Sequence, residues 1–132
     1  MTCDYDELVE ALLVHASGLT GLTGAVVLLA EHQVWLTRSD FRRFIQHGHC
    51  HATRRPMAMI RWQAAVTALG HDLPASASEA HMLRIAASLA GAVPVRLRDV
   101  LGCLDHRNIA RVVKAVAIAN DSWPITLQGN QS

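Results

Sequence analysis

The sequence predicts an all-α fold, a single compact domain of about six helices, and three observations carry that prediction. Apolar residues recur at three-and-four spacing along most of the chain, and capping residues and stop glycines stand at the ends of those stretches. Sustained two-residue alternation is absent apart from residues 33–36 and 123–127. Composition agrees with a packed core. A chain of 132 residues has the length of one domain, and 51% hydrophobic against 17% charged residues is too apolar for a disordered polymer. The longest strongly apolar run, residues 25–30, falls far short of the roughly 20 residues that a membrane span needs. The chain opens on Asp4, Asp6, Glu7 and Glu10 instead of a basic segment with an apolar one behind it, so a cytoplasmic protein is expected.

The chain divides into acidic N-terminal helices (1–46), a His/Arg-rich loop (47–59), a helical C-terminal part (60–120) and a polar tail (121–132). In the first helix Tyr5, Leu8, Val9, Leu12, Leu13 and Ala16 form the inward face; Asp4 is its N-cap, with Glu7 three residues on, and Gly18 stops it. The glycine run 18–24 reads as a turn and helix start, and residues 25–32, apolar on nearly every side, as the most buried helix. Ser39 and Asp40 cap a short helix to about Gln46, with Phe41, Phe44 and Ile45 inward, and Gly48 ends it. Residues 60–69 read as helix, punctuated by Gly70 and Pro74. Ser76 and Glu79 form a capping box for a helix whose buried stripe is Met82, Leu83, Ala86, Leu89 and Ala90, ending at Gly91. A short helix over 95–103 follows, and Asp105 caps a long one in which Ile109, Val112, Val113, Val116 and Ala117 face the core.

Charge is distributed unevenly. Residues 1–37 carry five acids and no base, and the remainder carries all twelve bases against six acids, a polarity that could steer an anionic partner. Eleven arginines to one lysine, with twenty alanines, fit a GC-rich bacterial coding bias. Three cysteines, Cys3, Cys50 and Cys103, form no C-x-x-C pair and suit a reducing compartment.

Residues 77–120 combine a helix, a short Pro-bearing connection, a short helix and a tight turn into a long helix. The last helix carries Arg107, Arg111 and Lys114 at i, i+4 and i+7, with no acid between Asp105 and Asp121. Arg96 and Arg98 precede it. This arrangement loosely resembles the trihelical core of helix-turn-helix proteins, although Gly102 falls early relative to Ile109 and Val112. The resemblance implies a DNA-binding regulator in which Arg107 and Arg111 contact base edges or phosphates and Lys114, Arg96 and Arg98 position the backbone. The alternative is a protein-interaction module without nucleic-acid binding, or a homodimer, anchored by Trp62 or Trp123 and using the basic stretch 38–61 and the acidic first helix.

Four potential ligands crowd residues 47–51, and a set of His49, His51, Cys103 and His106 would suit tetrahedral zinc. Otherwise no cofactor is expected. No nucleophile elbow, H-E-x-x-H or P-loop occurs, so the protein is read as non-enzymatic. Cys103 with His106 is the nearest thing to a nucleophile and its base, lacking a third, orienting group.

Overall fold

A computed structural model describes residues 4–124, a helix-rich single domain in which seven α-helices and a small two-stranded sheet are present, so the fold is mostly but not purely α. Helix α1 (Tyr5–His15) begins as the sequence predicts: the Asp4 carboxylate accepts from the Glu7 backbone N–H, and the Glu7 carboxylate accepts from the Asp4 N–H at 3.3 Å. Its Leu8, Ala11 and Leu12 are buried. Gly18, at φ +81°, turns the chain into α2 (Thr20–His32).

Here the first correction arises. Helix α2 already begins at Thr20, so Gly21 and Gly24 lie within it and ahead of the expected 25–32, and two close backbone approaches explain why they are glycines. A Cβ on Gly21 would stand 2.6 Å from the Leu89 carbonyl oxygen, and one on Gly24 would stand 2.5 Å from that of Ala115. Helix α2 therefore lies between α5 (Ala77–Leu89) and α7 (His106–Ala119) at a separation that no side chain permits.

Beyond α2, Gln33 takes a left-handed conformation and a 3₁₀ turn spans Trp35–Thr37, which accounts for the brief alternation at 33–36. Helix α3 (Ser39–Arg42) is shorter than expected: it stops four residues before Gln46, and Ile45 starts a strand. Arg38 holds this corner together, with its guanidinium on both Asp40 carboxylate oxygens at 2.9 and 2.6 Å, on the Pro74 carbonyl at 2.7 Å, and over the Trp35 ring. That contact draws the Asp40 carboxyl below its usual range.

The second correction concerns residues 47–59, which are not a loop. They belong to an antiparallel hairpin of β1 (Ile45–His49) and β2 (Pro56–Ile60), with Ile45 opposite Ile60, His47 opposite Ala58 and His49 opposite Pro56. Gly48 lies within β1 and ends no helix. Only Ile45, Ala58 and Ile60 of the hairpin are buried, and β2 packs against α1, so three anchors hold a ribbon whose outer half is exposed. Helix α4 (Trp62–Ala68) follows and packs on α5, whose Ser76–Glu79 capping box is present as expected. Helix α6 (Leu97–Leu101) is shorter than the predicted 95–103, and Asp105 caps α7 by accepting from the Asn108 N–H at 2.8 Å.

The third correction is the rotation of α7. Val113 and Val116, expected in the core, are 49% and 48% exposed, and Ile109 is half-buried. Val112 and Ala117 are buried as expected, and Asn108 and Ala115 join them in place of Val113 and Val116. The close approach to Gly24 falls on the backbone of Ala115 and Ala119, two small residues of this face, and the Thr20 hydroxyl donates to the Ala119 carbonyl at 2.9 Å on the same side. Trp62, expected as a partner anchor, is only 8% exposed and joins the core. The candidate strand at 123–127 lies mostly outside the described residues. No described helix is long and apolar enough to cross a membrane.

Candidate functional site

The five basic residues expected to contact DNA do not form one row. Arg107, Arg96 and Arg98 are exposed, Arg96 lying 3.9 Å from Asp99. Arg111 is half-buried and donates to the Asn108 side-chain oxygen at 2.8 Å. Lys114 pairs with Glu31 of α2 and lies 5.2 Å from the Trp123 ring. The rotation that put Ala115 on α2 has therefore carried Arg111 and Lys114 into side-chain contacts of the fold itself.

Nor are the four candidate zinc ligands assembled. His49 ends β1, His51 lies in the hairpin turn, His106 starts α7, and all three are exposed. Cys103, in the turn before α7, meets a different histidine: His81 Nδ1 lies 2.8 Å from its Sγ. Among the described residues no group of three or more His, Cys, Asp or Glu side chains is placed to hold a metal ion.

The hairpin is the feature that sequence reasoning missed. Between Asp40 and Asp72 the chain contains no carboxylate, while Arg42, Arg43, Arg54, Arg55 and Arg61 and four histidines fall there. The fold gathers most of these on one ribbon. Arg54 and Arg55 occupy the exposed turn, closed by hydrogen bonds from the Arg54 N–H to the Cys50 carbonyl and from the Cys50 N–H to that of Arg55. At the base, Arg43 and Arg61 hold their guanidiniums 5.8 and 5.7 Å from the Phe44 ring, and Arg61 donates to the Arg43 carbonyl at 3.1 Å. Cys50 opens the turn, its thiol drawn down by hydrogen bonds from the Thr53 side chain and the Thr53 and Ala52 backbones. The absence of acids over this stretch was the available signal.

Between the hairpin and α1 lies a cleft of about 500 Å³ with apolar walls at Ala11, Val14 and Met57. Across it Arg55 and Glu10 form an exposed ion pair at 3.0 Å, so one hairpin base has an internal anion as a competitor. At the far end of α2, His32 is held below its usual imidazole range, first by burial and then by the Arg111 cation, with Glu79 and Asp105 opposing; its Nδ1 is buried without a partner.

Compared with protein-family models, curated proteins and solved structures, the chain matches none.

Proposed function

We propose that this chain is a non-enzymatic DNA-binding protein whose basic hairpin makes the main duplex contact, with Arg96, Arg98 and Arg107 as further phosphate contacts. The observation that carries this reading is the exposed, acid-free ribbon bearing Arg43, Arg54, Arg55 and Arg61. A two-stranded antiparallel ribbon has dimensions that a DNA major groove admits, and arginine at its turn supplies both charge and forked donors for phosphate or guanine.

Fluorescence anisotropy of a labelled duplex tests it. The four hairpin arginines, each on one phosphate, should by themselves account for about a 100-fold fall in affinity between about 50 and about 200 mM salt. Arg54→Ala/Arg55→Ala should remove roughly half of that salt slope. Glu10→Gln should act in the opposite direction and tighten binding by releasing Arg55. No binding at low salt would overturn the reading; loss on Arg107→Ala with the hairpin variant unaffected would move the interface to the last helix.

The exposed row on α7 favours a second reading, in which a second copy of this chain covers that face. His106, Val113, Val116 and Asn120, with half-buried Ile109, follow a heptad a/d spacing, and the exposed Ala110 and half-buried Ala119 beside them carry no charge. Two such helices related by a twofold axis therefore meet no like charge. Sedimentation should show a dimer in the native chain and a monomer in Val116→Glu; a native monomer at high concentration would exclude this association.

A further inference from the structure

Cys103 and His81 are separated by 22 positions, on different elements, yet the imidazole Nδ1 lies 2.8 Å from the thiol sulfur. His81 is held firmly. It lies in the second turn of α5, a helix fixed by its capping box and by the buried Met82 and Leu83 beside it. Cys103 is exposed, in the turn joining α6 to α7, so a reactant in solution can reach it. This is the spacing of a nucleophile and its base, and Cys103 has His81 as that partner instead of the His106 that the sequence suggested.

We propose that Cys103 and His81 form a thiol–imidazole pair that makes Cys103 the chain's site of S-thiolation by low-molecular-weight disulfides. With its ring proton on Nε2, His81 accepts the Cys103 S–H proton at Nδ1. The sulfur then attacks one sulfur of the disulfide, a new S–S bond forms and the old one breaks. The departing thiolate takes the proton back from His81, leaving the imidazole neutral; the disulfide is the oxidant and one of its halves is reduced to a thiol. Arg84, one turn along α5, and Arg107, in the first turn of α7, add positive charge in the sequence neighbourhood, whereas Asp105 adds an anion committed to capping α7. Cys50 differs: its thiol is approached by hydroxyl and backbone donors, with no imidazole among them to take its proton.

The test uses the full chain carrying Cys3→Ser and Cys50→Ser, so that Cys103 is the sole thiol, incubated with oxidised glutathione near neutral pH and followed by intact mass. The adduct should form about tenfold or more faster than in the same protein with His81→Gln, the scale of assistance from a positioned base. Added imidazole should restore part of the rate lost in His81→Ala, which a merely structural role for His81 would not allow. Equal rates with and without His81 would overturn the proposal. A Cys103 rate no higher than that of free N-acetylcysteine would overturn it as well, and that comparison needs no substitution at His81.

Discussion

Replacing Trp35 with alanine is expected to cost about 3–5 kcal/mol, the range for emptying a buried aromatic site. Nothing around Trp35 can close over the space without moving several elements. The residue is 0% exposed, its ring centroid lies 5.5 Å from that of Phe41, its indole N–H donates to the Glu79 carbonyl at 3.0 Å, and the Arg38 guanidinium covers its ring at 4.7 Å. One side chain thus joins the 3₁₀ turn, α3 and the first turn of α5. Against a typical total stability of about 5–15 kcal/mol, the loss would leave the variant marginal at room temperature. Trp35→Phe keeps most of the apolar contact and gives up the hydrogen bond, so a loss of about 1–2 kcal/mol is expected. Urea unfolding followed by far-ultraviolet circular dichroism measures both without relying on indole fluorescence. A cost under about 1 kcal/mol for the alanine variant would mean that this corner is not part of the cooperative core.

The second large effect is expected at Gly24, from the smallest of changes. In an isolated helix, Gly→Ala would stabilise by about 1 kcal/mol. At Gly24 the added methyl would meet three backbone atoms of α7: the Ala115 oxygen at 2.5 Å, the Ala119 nitrogen at 3.3 Å and the Ala115 carbon at 3.4 Å. Backbone atoms cannot rotate aside as a side chain can, so α7 must shift as a unit. Overpacking costs of about 1–3 kcal/mol outweigh the propensity gain, and Gly24→Ala should lower the melting temperature by roughly 5 °C, Gly24→Val by considerably more. Gly102→Ala is the control, since that position has helical φ, open space around its Cβ, and should be neutral or slightly stabilising. A Gly24→Ala protein as stable as the native chain would show that α2 and α7 can separate freely, and the account of which face α7 presents would fall with it.

The parts of this structure that were legible in the sequence are those decided within a few residues of themselves. Asp4 with Glu7, Ser76 with Glu79, Asp105, Gly18 and Gly91 mark helix ends through hydrogen bonds and backbone angles that close locally, and the structure has each of them. The hairpin was hidden because its alternation is carried by only three buried residues, Ile45, Ala58 and Ile60, interrupted by exposed Met59 and by a turn rich in histidine and arginine. A loop and such a ribbon have nearly the same composition. The candidate site shared this difficulty: the basic residues were visible, and their grouping on two strands was not.

Sequence by itself determined that the chain is helix-rich, where most helices begin and end, and which stretches lack acids, because propensity, capping and charge are properties of neighbouring residues. Tertiary structure alone decided which face of α7 is buried. At the close approach to Gly24 that helix presents the small residues Ala115 and Ala119, as a tight helix contact requires, and of its three valines only Val112 is buried while Val113 and Val116 face outward. With that face inward, Arg111 is half-buried on the Asn108 side chain and Lys114 pairs with Glu31. The pairing of Cys103 with His81 was likewise beyond sequence, because a contact across 22 residues exists only once α5, α6 and α7 have packed.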